Sequence, residues 1–455
     1  MTDGSLSDYD EAGVARLRAF TEQVTGGRVV DMVRQVRWRP AWFATVERDG
    51  ETMQVYIRGD RQSDVMPFPE LRREADILEV LYENGIPVPR IYGVCENPQA
   101  IVMGTLPGER DIAKAGSDAE RAAIVRQYIE AVSRMHRLPV APFVARGLQC
   151  PVGERDIALA GVNAYLPLYR RTKARPEPLI EFALRWLREN VPPGRTETCL
   201  VQFDSGQYHF ADGQMTGLYD FEFAMIADPL ADLATMRMRE SNEPLGEDMR
   251  IACRHYEEFT GQAVDHRALA YHTLVFATVA TMQFSSTVAK PQPGAPHAVY
   301  LEFDLALRRT LILALAECIG LDLPPPEPRP SPQAMIAPFA DMLADMIAQF
   351  DLDDPIQRAG QDAALQVVEM MRAHDAYGAW MMRRDLEDAE ALLGSSFASH
   401  EAMLQALEDA IVSGAEQDPA PWFRLFAGQE GRKLVAYGGT AIAGSATKAF
   451  IPPSR

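Results

Sequence analysis

Two aspartates stand at or near the ends of short apolar runs, with a turn between the runs. Asp204 ends the first run and Asp220 nearly ends the second, and Asp212-Gly213 lies between them. Such a turn would fold both carboxylates toward one edge of a small sheet. In phosphoryl transfer, one such acid orients or deprotonates an attacking hydroxyl, while the other holds magnesium on nucleotide phosphates. The alternative is that both are ordinary turn or cap residues.

The elements that would position these acids form a small sheet with one inserted helix. Leu71, Ala75 and Leu78 recur at helical spacing between residues 68 and 84, and Gly85 is a suitable C-cap. Residues 45–57, which turn at Asp49-Gly50, and residues 90–103 predict strands. From about residue 108 the pattern becomes helical, with a capping box at Ser117 and Glu120. The sequence therefore predicts an α+β chain.

A proline-rich segment, residues 323–332, predicts a stiff linker before a helical unit at 333–455. That unit opens with an apolar stripe at helical spacing. Such a stripe is most often buried, so we expect it to pack against the preceding unit or, in a homodimer, against a second copy. The stripe consists of Met335, Phe339, Met342, Met346 and Phe350.

Composition and charge narrow the function classes. Acidic residues outnumber basic ones 64 to 45, a net charge of -19, which disfavours nucleic acid and anionic membranes as partners. The five cysteines show no metal spacing or disulfide framework. The N-terminus is acidic where a signal peptide would be basic, and no apolar run is long enough to span a bilayer, so we expect a cytoplasmic protein.

The motifs together resemble the aminoglycoside phosphotransferase-like family of the kinase-like superfamily, in the branch associated with acyl-CoA dehydrogenases. The run from Leu200 to Phe210 resembles its LVHGDxxxxN motif, residues 217–224 its metal-binding strand end, and residues 227–234 its GDPxxDLA motif. The resemblance covers about residues 20–320. It implies a two-lobed, protein-kinase-like α+β fold, with an N-terminal lobe at 1–106 and a mostly helical C-terminal lobe at 107–322.

Site roles follow from the resemblance, position by position. It implies that Asp204 is the catalytic aspartate and that Asp220 binds the metal. Arg58 would contact the phosphates of ATP, with Glu74 as its helix partner. Glu222 is either a second metal ligand or a structural acid. The acids implied to support the catalytic loop are Asp228 and Asp232.

The departures from the family pattern cluster at the active site. Gln202 replaces a histidine, Phe203 a glycine, and His209 the asparagine that would be the other metal ligand. An imidazole at that position weakens a magnesium site or favours a softer ion such as manganese. The loop expected to cover the nucleotide lacks glycines, and Arg37 and Arg39 would supply charge there instead.

Two functions from different classes follow. The first is an ATP-dependent phosphotransferase that acts on a hydroxyl group of a small molecule, such as a hydroxyacyl-CoA. Arg170 and Arg171 are candidates for a phosphate-bearing substrate, with a solvated surface as the alternative. The second is a kinase-like pseudoenzyme that binds a nucleotide or metabolite and serves assembly or regulation.

Overall fold

The computed structural model describes residues 9–36, 39–60, 67–292, 295–414 and 418–455. Its N-terminal part is one sheet with two helices. In the sequence, one helix precedes the first three strands and the other follows them. The elements are α1 (Glu11–Thr25), β1 (Arg28–Arg34), β2 (Ala41–Arg48), β3 (Glu51–Gly59), α2 (Leu71–Glu83), β4 (Ile91–Glu96) and β5 (Gln99–Gly104).

The sheet is antiparallel, in the order β1-β2-β3-β5-β4. The predicted hairpin turn is confirmed, because Asp49 and Gly50 both have positive φ, 55° and 82°, as a tight two-residue turn requires. Phe43 pairs with Tyr56 across β2 and β3. Side chains two apart on a strand point the same way, so Arg58 shares the sheet face of Tyr56. This face of the sheet is the one that faces the helical part of the protein.

The second part is mostly helical, and its capping box is confirmed: Ser117 Oγ accepts from Glu120 N at 3.2 Å. The elements are α3 (Asp118–His136), α4 (Ala141–Ala145), α5 (Glu154–Ala158), α6 (Ala160–Thr172), α7 (Pro178–Glu189), β6 (Cys199–Val201), β7 (Tyr208–Ala211), β8 (Gln214–Leu218), β9 (Met225–Ala227), α8 (Leu230–Arg239), α9 (Met249–Thr260), α10 (His266–Ala289) and α11 (His297–Ile319).

Two short antiparallel pairs bring the key loops together. β7 pairs with β8, and β6 pairs with β9, with Val201 opposite Met225. Because β6 and β9 run in opposite directions, the loop that follows β6 and the loop that precedes β9 leave the same edge. Asp204 lies in the first loop and Asp220 in the second. The predicted convergence of the two loops therefore follows from this register.

Three of the last five helices join the core of the helical part. Ala389, Met403 and Phe423 are buried in one hydrophobic cluster with Leu184 and Leu315. Residues 320–336, which include the expected linker, contain no helix or strand. The domain boundaries given above remain predictions. The helices are α12 (Ala337–Ala348), α13 (Pro355–Leu393), α14 (His400–Ser413), α15 (Pro419–Tyr437) and α16 (Gly444–Lys448).

The apolar stripe of α12 does not pack on the preceding unit, so that part of the expectation was wrong; the single chain does not test the other part, packing against a second copy. Met335 is 84% exposed and Phe339 67% exposed, whereas Ala340, on the opposite side of the helix, is buried. The helix packs on α13 through its small residues, which leaves the large apolar ones outward. Among the described residues, no helix is both long and apolar enough to cross a bilayer.

Candidate active site

A cleft of about 490 Å³ separates the sheet from the helical part. Its sheet wall carries the neighbours Phe43 and Tyr56, whose rings are tilted by 46° with centroids 5.2 Å apart. The opposite wall comes from the segment after β5, from β7 and the residue before it, and from the residues that follow β8. Aromatic walls beside fixed charges suit a flat ring joined to an anionic chain. The polar residues that line the cleft include Arg58, Glu74, Arg110, Gln207, His209, Tyr219 and Asp220.

One end of the cleft is a buried ion cluster centred on Arg58. Its guanidinium lies 3.2 Å from Glu74, 2.7 Å from Asp220 and 3.0 Å from Glu222. Arg39, itself buried, also pairs with Glu222. Burial by itself would lower the pKa of Arg58, but Asp220, Glu74 and Glu222 raise it well above its usual value. The expected Arg58–Glu74 pair is present, and Glu222 is held by two arginines.

Helix α2 also fixes the loop that carries Asp220. Glu74 Oε1 accepts from the backbone N–H of Phe221 at 3.2 Å, and Arg73 donates to the Ala224 carbonyl at 2.5 Å. Burial raises the pKa of Glu74, while Arg58 opposes that rise. A single helix therefore sets both the basic group on β3 and the acidic loop before β9. The position of Asp220 relative to Arg58 is thus determined by the fold.

Asp204 is held on the neighbouring loop by an arginine that the sequence reasoning missed. Its Oδ1 accepts from Arg239 Nη1 at 2.6 Å, and its Oδ2 accepts from Gln207 Nε2 at 3.1 Å. Burial raises the pKa of Asp204, Arg239 opposes this, and the charge of Asp220 adds to the rise. The loops that carry the two carboxylates leave the same edge of the β6–β9 pair. Arg239 also pairs with Glu243.

Three polar residues on one face of α8 hold the loop that carries Asp204. Asp232 accepts from the N–H groups of Gln202, at 3.1 Å, and Phe203, at 2.9 Å. Thr235 Oγ1 accepts from Ser205 N at 3.1 Å, and Arg239 holds Asp204. Positions 232, 235 and 239 are three and four residues apart, so they share a helix face. The sequence signal that could have identified Arg239 is this spacing of polar residues in a helix whose other residues are mostly apolar.

The substitution at Gln202 keeps a structural link between the two loops. Gln202 is fully buried, and its Nε2 donates to the Tyr219 carbonyl at 2.5 Å and the Asp220 carbonyl at 3.3 Å. It therefore ties the loop of Asp204 to the loop of Asp220. A glutamine can do this as well as a histidine because the link needs only one donor.

Phe203 keeps the backbone conformation that a glycine would adopt easily. Its φ is 63°, which costs a residue with a side chain on the order of 1 kcal/mol. The ring is buried, and lies edge-on to Phe276 with ring centroids 5.2 Å apart. Gly161 makes room for it, since a Cβ there would lie 2.3 Å from Phe203 Cζ. Burying a phenylalanine contributes about 1.5–3 kcal/mol, enough to offset the strain.

His209 lines the cleft with Asp220, and its Nδ1 is buried with no hydrogen-bond partner. Burial lowers its pKa, so the ring is neutral near pH 7 and able to ligate a metal. Within the described ranges, no three His, Cys, Asp or Glu side chains are grouped to hold an ion. A metal here would need oxygen atoms from nucleotide phosphates, which is how Mg²⁺ is usually held. With phosphate oxygens as further ligands, Asp220 and His209 could together hold a divalent ion.

Asp228 is a buried structural acid. It accepts from Arg195 Nη2 at 2.6 Å and lies 3.3 Å from His272 Nε2. Burial opposes ionisation, but His272 and Arg195 together hold the pKa of Asp228 far below its usual value. Its surroundings leave no room for a substrate.

The remaining predicted residues are not gathered at the cleft. Arg37 lies outside the described residues. Arg170 makes a two-point ion pair with Glu181, one contact at 2.6 Å, beside Lys173. Arg171 is an exposed residue in the last turn of α6. Neither Arg170 nor Arg171 lines the cleft that contains Asp220.

Comparison with protein families identifies the family to which the chain belongs. The model of the phosphotransferase enzyme family, APH, matches residues 42–270, about half of the chain. The chain belongs to the APH phosphotransferase family. The matched span includes β2 and β3, the cleft and the loops of Asp204 and Asp220. Its members are phosphotransferases, so the expected family and enzyme class are confirmed.

Known relatives agree with this APH assignment. Mouse acyl-CoA dehydrogenase family member 11 is 26% identical over 181 residues, which is 37% of this chain and 23% of that protein. Mouse acyl-CoA dehydrogenase family member 10 is 23% identical over 193 residues, 40% of this chain and 18% of that protein. The chain thus spans less than a quarter of the length of either relative.

A solved structure confirms the two-lobed kinase-like fold. A candidate aminoglycoside phosphotransferase from Ralstonia eutropha superposes with a TM-score of 0.52 at 15% identity. The match covers 68% of this chain and 99% of that one. The sheet lobe and the mostly helical lobe are therefore those of the APH fold, followed here by further helices.

Proposed function

We propose that this APH-family protein transfers the terminal phosphoryl group of ATP to a hydroxyl group of a small molecule. The observation that carries the proposal is the position of Arg58 and Asp220 at one end of an aromatic-walled cleft, with Asp204 on the adjacent loop. Phosphoryl transfer requires mainly positioning and charge neutralisation, and these residues supply both.

Each residue then has a stated task. Arg58 and Arg110 neutralise phosphate oxygens in the cleft, where both side chains lie. Asp220, with His209, holds a magnesium or manganese ion, and that ion would neutralise further phosphate charge. Asp204 accepts the hydroxyl proton as the oxygen–phosphorus bond to the acceptor forms and the bond to the ADP oxygen breaks.

The proposed acceptor class is a hydroxyacyl-CoA or a related intermediate. Its support is the likeness to two proteins named as acyl-CoA dehydrogenase family members. Five free cysteines are compatible with the reducing cytoplasm as the compartment. This acceptor class is tested by comparing a hydroxyacyl-CoA with the same acyl-CoA that lacks the hydroxyl. The second compound has no phosphate acceptor on its acyl group.

The pseudoenzyme remains the second candidate because of a specific observation. Both key aspartates are held by arginines, Asp204 by Arg239 and Asp220 by Arg58. Such pairs stabilise a closed, substrate-free arrangement. Catalysis needs Arg239 to leave Asp204 or to turn toward an anion of the acceptor or phosphoryl group.

Calorimetry with ATP and GTP, each with Mg²⁺ and Mn²⁺, separates the candidates. We expect Asp220→Asn to weaken metal-nucleotide binding, because it removes the carboxylate that faces the phosphates. Thermal melting checks that this variant folds, since Asp220 also pairs with Arg58. Binding without ADP production would favour the pseudoenzyme. Failure of the wild-type protein to bind either nucleotide with either metal would contradict both candidates.

A further inference from the structure

The outer side of α12 is a contiguous apolar surface, here called the α12 face. Its side chains are each 41–84% exposed. Soluble monomers rarely leave so many large apolar residues together in water, and such patches usually bind something. The α12 face consists of Met335, Ile336, Phe339, Met342, Leu343, Met346 and Phe350.

The α12 face is rigid, because its helix is tied to α13 at both ends. At the start, Asp375 accepts from the backbone N–H groups of Met335 and Ile336, each at 2.8 Å. At the end, Gln361 Nε2 donates to the carbonyls of Ile347, at 2.6 Å, and Phe350, at 3.0 Å. The exposed side chains are therefore presented by a fixed helix.

The charge around the face identifies the kind of occupant. Residues 337–354 contain five aspartates and no lysine or arginine. All five are exposed, and one of them, Asp341, is paired with Arg372 at 3.1 Å. A second copy would bring the same acids, and anionic lipid would be repelled. A partner with positive charge beside an apolar surface fits this arrangement.

We propose that the α12 face binds an amphipathic helix of another protein, with apolar residues three and four apart and lysines or arginines at its flanks. Three methionines on the face suit this partner, because flexible thioethers adapt to helices of different sequence. The 12 residues of α12 span about 18 Å at 1.5 Å per residue, so the partner needs three to four turns.

The test uses the full chain and a fluorescein-labelled 16-residue peptide of leucine and lysine, followed by fluorescence anisotropy. Two control peptides are a scrambled peptide of the same composition and a leucine–glutamate peptide with the same apolar face. We expect saturable binding of the first peptide only. Phe339→Asp and Met346→Asp should each weaken it by about tenfold or more, as hot-spot substitutions do.

Matched variants distinguish binding at the α12 face from general electrostatic attraction of the peptide. Val412→Asp makes the same kind of change at an exposed residue of α14 and should leave the affinity unchanged. Asp345→Lys should weaken binding if the acidic rim contributes. Equal binding of the scrambled peptide, or no effect of Phe339→Asp, would overturn the proposal.

Two further results would replace the occupant. A wild-type dimer in sedimentation that Phe339→Asp makes monomeric would assign the face to a second copy. Sedimentation with phosphatidylcholine vesicles, lost in the same variant, would assign it to lipid. Either result overturns the partner-helix proposal, and neither depends on phosphotransferase activity.

Discussion

Four aspartates, Asp204, Asp220, Asp228 and Asp232, form two pairs with opposite surroundings. Asp228 and Asp232 have at most 1% of their side chains exposed, and the fold occupies them with arginine, histidine and backbone N–H groups. Asp204 and Asp220 are 17% and 18% exposed; Asp204 is paired with Arg239, and Asp220, which lines the cleft, is paired with Arg58. The difference between the two pairs is therefore one of burial: the fold encloses Asp228 and Asp232 completely, whereas Asp204 and Asp220 keep part of their side chains accessible.

The largest expected effect is on turnover. If Asp204 accepts the proton of the acceptor, Asp204→Asn should lower kcat by about 10²–10⁴-fold, while ATP affinity changes little. The measurement is ADP release at saturating acceptor, together with calorimetric binding of ATP. An unchanged kcat in Asp204→Asn would show that Asp204 does not accept the proton.

The buried pair should respond in stability. Asp232→Ala removes the acceptor of two backbone N–H groups and the 2.9 Å partner of His136, so we expect a loss of about 3 kcal/mol in urea unfolding. Asp248→Ala is the control, because Asp248 is an exposed N-cap, worth about 1 kcal/mol, that also pairs with the exposed Arg250. Equal losses would mean that burial adds nothing to the contribution of Asp232.

A smaller effect is expected at the metal. His209→Asn supplies an oxygen ligand where the imidazole now lies, which should strengthen binding of Mg²⁺-ATP and reduce any preference for Mn²⁺. Titration of both metals into the ATP complex measures this. If the ratio of the two affinities does not change, His209 does not ligate the ion.

The smallest effect concerns pH. If Asp204 accepts the proton of the acceptor, it must be ionised; its pKa is raised by burial and lowered in part by Arg239. Activity should therefore fall as pH decreases through that raised pKa, and Arg239→Gln should move the fall to higher pH. Glu243→Gln is the control, since it removes the exposed partner of Arg239 and leaves the arginine charge beside Asp204. A shift to lower pH in Arg239→Gln would contradict the assigned role.

The α12 face shows where sequence periodicity misled. The spacing of Met335, Phe339 and Met342 correctly predicts a helix with one apolar side, but gives no information on what lies opposite that side. Ala340 and Ala344 fill the contact with α13, because small residues allow close packing of two helices. The large residues consequently remain in water.

The sequence by itself determined the features that depend on neighbours along the chain. The resemblance to the family, rather than local spacing, implied the Arg58–Glu74 pair. The Asp49-Gly50 turn and the capping box at Ser117 follow from short-range rules of backbone conformation. These predictions succeeded because local spacing fixes local geometry.

Only the tertiary structure decided which charges meet. Arg239 reaches Asp204 across 35 residues, and Arg39 reaches Glu222 across 183. Phe203 tolerates its left-handed backbone because Gly161, on another helix, leaves space for the ring. Such contacts depend on the packing of elements distant in sequence, and the energy of an ion pair depends on burial that no local pattern specifies.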